Sequence, residues 1–199
     1  MNSELEALRK AGVHGVALSG IGKVNAARTA TEMILRDRPD FIINSGCAGS
    51  IDRTVGVKDL VIGEQVAYHD VWCGYGNAFG QVDGLPQRFD ADPHLLSVAQ
   101  SLRTDLTVHS GLVITGDQFY ISLEEDARQK ELYPDALACD MESASIAQVC
   151  RHYGVPFLSF RMISDIHTSD EDQKATYEGF WGDLAMDSFE FMRMVVEGV

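Results

Sequence analysis

The stretch ALACDMESASIAQVCRHYGVPFLSFRMISD, from Ala136 to Asp165, decides the fold. ALACD is a short apolar run of strand length. MESASIAQVCRHY has helical periodicity and is stopped by Gly154 and Pro156. FLSFRMIS is apolar again, with Arg161 inside it. Two buried strands joined through an amphipathic helix make a crossover unit, and such units build a mostly parallel sheet covered on both faces.

The alternation continues outward in both directions. VHGVALS (Val13 to Ser19) reads as a strand punctuated by Gly20 and Gly22. The helix after it sets Val24, Ala27, Thr31, Ile34 and Leu35 on one face and stops at Pro39 and Asp40. FIINSG (Phe41 to Gly46) is a buried strand from which GCAGS turns away. Lys58 to Asp70 reads as a long strand whose internal glycine marks a bend or bulge. Val71 to Arg88 is rich in glycine and aromatics and reads as a long loop. Asp92-Pro93 is an N-cap with proline at the first helical position, leading Leu95, Val98, Ala99 and Leu102. LTVHSGLVITG is a strand, and Ser122 with Glu125 forms a capping box. The last helix starts near Glu178 and points Trp181, Leu184, Ser188, Phe191 and Val195 inward. No linker or repeat divides the chain, so residues 1–199 are expected to form a single α/β domain.

Composition narrows the function. With 16 Lys+Arg against 30 Asp+Glu, the 199-residue chain carries a net charge of −14. That disfavours nucleic-acid binding, which needs a basic face, and disfavours an anionic membrane surface. No apolar run approaches the roughly 20 residues that span a bilayer, and MNSELEALRK does not read as a signal peptide. Cys47, Cys73, Cys139 and Cys150 lack metal-ligand spacing, and free thiols suit a reducing cytoplasm.

In open α/β sheets ligands gather beyond the carboxyl ends of the strands. Ser45–Ser50, Thr115–Tyr120, Cys139–Glu142 and Ser164–His167 all fall there. SGIGKVNAA (Ser19 to Ala27) lacks the lysine placement of a P-loop and the third glycine of GxGxxG, so close helix–strand packing competes evenly with anion binding. Cys47 has no histidine beside it in sequence and reads as a small pocket-lining residue rather than a nucleophile. Asp140-Met141-Glu142 offers carboxylates able to accept both hydroxyls of a vicinal diol, or simply charge at a helix N-terminus. Asp165, at a buried strand end, is placed to act as a general acid. Arg161 in the same strand requires an acidic partner. Phe119 and Tyr120 offer an aromatic for a flat base, or core packing.

The segments SGIGKVNAA, FIINSGCAGSI, KDLVIGEQVAYHD, TGDQF, DMESASIA and FRMISD, in this order and spacing, resemble the 5′-methylthioadenosine/S-adenosylhomocysteine nucleosidases of the nucleoside phosphorylase superfamily. The resemblance covers nearly everything from Gly15 to the C-terminal helix. It implies a three-layer α/β/α sandwich around a mostly parallel mixed sheet, and a homodimer that hydrolyses the N-glycosidic bond and releases adenine without metal or organic cofactor. It further implies that Asp165 protonates N7 of the leaving adenine, supported by Ser164, and that Arg161 helps hold the attacking water. Glu142 would bind the ribose hydroxyls, with Met141 lining the sugar pocket. Phe119 would stack on the base, the backbone at Tyr120 would read its edge, and Gly46 and Cys47 would border the substrate. The loop after Asp70 would lie near the dimer contact.

Two departures go with the resemblance. Cys47 stands where the family usually has serine. The family's N-terminal acidic segment, which supplies the water-activating glutamate, has no counterpart here, and Glu4 and Glu6 do not match it. The expectation is a shortened chain that binds nucleosides and hydrolyses them slowly, with an exposed strand edge beside Val13–Ser19 or the N-terminal stretch folded over it. Alternatives are a nucleoside phosphorylase, disfavoured by Asn44 where phosphorylases often carry arginine, a futalosine-type hydrolase, or a non-catalytic nucleoside-binding module.

Overall fold

The computed structural model describes residues 14–119, 123–166 and 185–199. Within them the order is α1 (Lys23–Asp37), β1 (Ile42–Ser50), β2 (Leu60–Tyr68), β3 (Arg88–Asp90), α2 (Pro93–Ser101), β4 (Val108–Thr115), α3 (Leu123–Leu132), β5 (Ala136–Asp140), α4 (Ser143–Tyr153), β6 (Phe157–Ile166) and α5 (Ala185–Gly198). The long ladders are parallel: β1 with β6, β2 with β4, and β4 with β5. β2 also pairs antiparallel with β6, and β1 meets β5 at Gly49 and Ser50, so the pairings close into a ring with β3 outside it.

Strand side chains alternate between the two faces. Val61, Val113 and Ile163 join the core under α1 and α4, whereas Leu60, Ile62, Phe160 and Met162 join the core under α2 and α5. Helices thus cover both faces of a mixed sheet, the layered α/β arrangement that the alternation of elements implied. The expected glycine irregularity in β2 is a bulge between Gly63 and Gln65. Asp92 caps α2 by accepting from the N–H groups of His94 and Leu95 at 3.0 and 3.1 Å.

Several sequence expectations need correction. His14 to Gly20 is not a strand: Gly15 has φ +72°, and no ladder partner exists among the described residues. Val13 lies outside them. Among the described residues the other edge of β1 is paired only at Gly49 and Ser50, and the stretch Asn2–Lys10 lies outside them. A cavity of about 800 Å³ runs alongside, lined by residues including Val16, Leu18, Phe41, Ile43 and Met192. The buried face of α1 is Ala26, Thr29, Ala30 and Ile34, with Val24 and Leu35 exposed. Small residues win that face because α1 packs closely on Ala144 and Ala147 of α4. The loop after β2 ends in β3, too short to show periodicity. Phe191 and Val195 are buried as expected, while Ser122, Trp181, Leu184, the side chain of Ser188, Glu4 and Glu6 lie outside the described residues.

Gly80 in the long loop has φ +79°, and a Cβ there would overlap the Tyr133 hydroxyl and the Tyr68 carbonyl. Tyr133 Oη donates to that carbonyl at 2.9 Å and to Phe79 O at 3.2 Å, tying the loop to the core. Gly80→Ala is therefore expected to cost roughly 2–4 kcal/mol, from backbone strain plus overpacking. Urea unfolding monitored by tryptophan fluorescence measures this as a lowered midpoint at unchanged slope.

Candidate active site

Parallel pairing of β1 with β6 sets Gly46 opposite Arg161 and Cys47 opposite Met162. A register shift between Ala48 and Gly49 then skips Ser164, so Gly49 pairs with Asp165. The bulge brings the Ser164 hydroxyl to donate to Asp165 Oδ1 at 2.5 Å and to Ala48 O at 3.3 Å. Asp165 and Ser164 are both almost fully buried. Gly46 has a steric reason to be glycine, since a Cβ there would overlap Arg161 Nη1.

Arg161, 2% exposed, finds the acidic partner its sequence position demanded. Its Nη2 lies 2.6 Å from Asp140 Oδ2 and 3.8 Å from Glu142 Oε2. Asp140 also accepts from Thr115 Oγ1 at 2.5 Å, from the Ser143 hydroxyl, and from the backbone N–H groups of Glu142 and Ser143. Ser143 Oγ in turn meets Arg161, Ser159 Oγ at 2.7 Å and Asn44 Nδ2 at 3.1 Å. Residues of β1, β4, β5, β6 and the start of α4 thus share one buried polar network. Asn44 is engaged there at 7% exposure, rather than presented to an anion.

Glu142 sits just before α4, its side chain 15% exposed, with Oε1 accepting from the Gly22 N–H at 3.0 Å. Burial raises its pKa; Arg161 opposes the rise and Asp140 adds to it. Burial pushes the Cys47 thiol up to about 12, against the pull of Arg161. It is therefore a neutral, half-buried thiol near neutral pH and no nucleophile. Phe119 follows β4 at 44% exposure, and Met141 is partly buried. Tyr120 and His167 lie outside the described residues. Sequence reasoning passed over Lys23, Asp70 and Asp117, which knit three loops together at this end of the sheet. The signal for them was the recurrence of polar residues directly after each strand. Among the described residues no group of three or more His, Cys, Asp or Glu is arranged to hold a metal ion, and no helix is long and apolar enough to cross a membrane.

A family model described as the phosphorylase superfamily matches residues 7–196. The chain is 42% identical over 186 residues to a 5′-methylthioadenosine/S-adenosylhomocysteine nucleosidase of Geobacillus kaustophilus, covering 91% of this chain and 78% of that one. It is 38% identical over 184 residues to the enzyme of the same name from Staphylococcus saprophyticus, covering 91% and 80%. A solved nucleosidase structure from Neisseria meningitidis, in complex with methylthio-immucillin-A, superposes with a TM-score of 0.86 at 36% identity, covering 92% of this chain and 80% of that one.

The raised pKa of Glu142 has a consequence for stability. A carboxyl whose folded-state pKa exceeds its unfolded value favours the fold below the unfolded pKa, and that advantage is lost as pH rises through the folded pKa. Near neutral pH the burial of Glu142 is therefore a burden on the fold that acid relieves. Glu142→Gln is expected to melt at the same or a higher temperature than the parent at pH 7, with the gap closing below about pH 4. Calorimetry across that range checks it, and a large loss at pH 7 would show that ion pairing outweighs burial.

Proposed function

The chain belongs to the phosphorylase superfamily, and on that premise we propose that it is an N-glycosyl hydrolase that cleaves 5′-methylthioadenosine and S-adenosylhomocysteine and releases adenine. The observation that carries the reading is the juxtaposition, at one end of the sheet, of a buried Ser164–Asp165 pair, an Arg161–Asp140 ion pair and the partly desolvated Glu142. Cleavage must neutralise an anionic base and ease an oxocarbenium-like sugar. Asp165 supplies the proton to N7 of adenine, and Ser164 fixes the orientation of its carboxyl. Glu142 accepts from the ribose hydroxyls, and its charge lies close to the developing cation. Phe119 stacks on the base, the backbone at Tyr120 reads its edge, and Met141, Cys47 and Gly46 border the sugar. Arg161, held by Asp140, presents its remaining donors to the attacking water, which adds to the sugar cation and then loses its proton to solvent. The chemistry calls for neither metal nor organic cofactor. The engagement of Asn44 with Ser143 favours water over phosphate as acceptor.

The protein works as a homodimer in the cytoplasm, in methionine salvage. The dimer reading rests on exposed apolar side chains around the site: Ile21 and Val24 at the start of α1, and Trp72 and Tyr75 in the loop after Asp70. The two aromatics pack edge to face with centroids 6.2 Å apart. The cytoplasmic reading rests on four unpaired cysteines.

Adenine release from methylthioadenosine, with and without phosphate, tests the activity. Asp165→Asn is expected to lower it by ~10²–10⁴ while binding of adenine persists, since the amide cannot donate the N7 proton. Acceleration by phosphate would make the chain a phosphorylase, and binding without release would make it a nucleoside-binding module. Trp72→Asp is expected to shift the protein from dimer to monomer in light scattering. A parent that is monomeric at high concentration would refute the dimer.

A further inference from the structure

Four loops meet at the amino end of α1. Lys23 opens the helix, and its ammonium group grips both oxygens of Asp70, at 2.6 and 2.7 Å. It stands 4.0 Å from Asp117 Oδ2 and 5.5 Å above the Tyr68 ring. The Lys23 backbone N–H donates to Asp117 Oδ1 at 2.7 Å, and Asp70 Oδ2 accepts from the Asp117 N–H at 2.9 Å. Lys23, Asp70 and Asp117 thus form a closed cycle of charge-assisted bonds. Side chains of Lys23 and Asp70 are 22% and 18% exposed, so water screens the pair less than a surface ion pair.

The cycle bears on two residues of the proposed substrate site. Adjacent peptide N–H groups divide between two carboxylates: Gly22 donates to Glu142 and Lys23 to Asp117. The spacing between Glu142 and the loop that carries Phe119 is therefore set by one peptide unit of α1. Glycine is required at 22 for this approach, at φ +88° and with a Cβ that would stand 2.8 Å from Asp117 Oδ1. Below the loop, the buried His69 imidazole fills the space that a Cβ at Gly116 would take. Phe119 follows two residues beyond Asp117, so this anchor sets where its backbone starts.

We infer that Lys23 is a positioning residue for nucleoside binding: through Asp70 and Asp117 it holds the Gly116–Phe119 loop at the spacing from Glu142 that a base and its ribose require. The inference rests on the nucleosidase reading above. Lys23 needs no contact with substrate. Its charge offsets the repulsion between the Asp70 and Asp117 carboxylates, which would otherwise drive the two loops apart. The acid, Asp165, stands on β6 outside the cycle, so the effect falls on binding more than on the chemical step.

The test compares Lys23→Met, Lys23→Arg, Asp70→Asn and the Lys23→Met/Asp70→Asn double variant with the parent, using calorimetric binding of adenine and of methylthioadenosine carrying a carbon in place of the glycosidic nitrogen, which cannot be cleaved. Lys23→Met is expected to weaken both by about tenfold or more, the scale of a lost charge-assisted bond. In turnover KM should rise by a similar factor while kcat falls by less than about threefold. Lys23→Arg should recover most of the affinity. The double variant should bind more tightly than Lys23→Met alone, because a neutral amide in place of the Asp70 carboxylate removes the repulsion; a merely structural role would make the losses add. Parent-like binding by Lys23→Met, or additive losses without rescue by arginine, overturns the positioning role alone. A parent that binds neither adenine nor the uncleavable methylthioadenosine overturns the nucleosidase reading, and the positioning role with it.

Discussion

The buried Arg161–Asp140 pair organises this end of the molecule. A guanidinium at 2% exposure in the middle of a sheet is tolerable only if a carboxylate meets it and the remaining donors and acceptors are filled. That requirement explains residues far apart in the chain. Gly46 must lack a side chain so that the guanidinium fits beside β1. Thr115 and Ser143 must carry hydroxyls to complete the coordination of Asp140. Asn44 and Ser159 satisfy what Ser143 has left. Four strands and a helix therefore meet in one polar network, and a half-satisfied version of it would be worse than an apolar core.

The same network fixes where chemistry can occur. Because Asp140 holds Arg161 and accepts the first N–H groups of the following turn, Glu142 is delivered to the rim with its carboxylate partly desolvated. The bulge between Ala48 and Gly49 does the equivalent for Asp165, allowing Ser164 to turn its hydroxyl back onto the carboxyl. One carboxyl is buried beside a hydroxyl and another lies between an arginine and peptide N–H groups. Carboxyls in such contrasting surroundings can take the two roles, proton donor and cation stabiliser, that glycosidic cleavage divides between them.

Packing of α1 against α4 shows a different economy. Ala26, Ala30, Ala144 and Ala147 bring the two helices close, so that the Gly22 N–H can reach across to Glu142. Larger residues at those positions would hold α1 away and take the Gly22 donor from Glu142. That approach turns the apolar Ile21 and Val24 away from α4, to the exposed side of α1 on which the dimer reading draws.

Much of this was legible in the chain itself. Local patterns identify the crossover unit Ala136–Asp165, the cap at Asp92 and the glycine stop at Gly154, since each depends on residues within a few positions of one another. The demand that Arg161 find an acid was also readable, because a charge within an apolar strand always carries it. The strand expected before Gly20 and the buried face of α1 were not, because a ladder needs a partner from elsewhere in the chain and a helix face is chosen by what packs against it. Nor did local sequence reveal the Lys23–Asp70–Asp117 cycle, whose members lie 47 and 94 positions apart. What the sequence by itself determined was the alternation of elements and the chemical types at the strand ends. Only the tertiary structure decided which carboxylate meets which donor, because register and helix approach, not proximity along the chain, bring those atoms within hydrogen-bond distance.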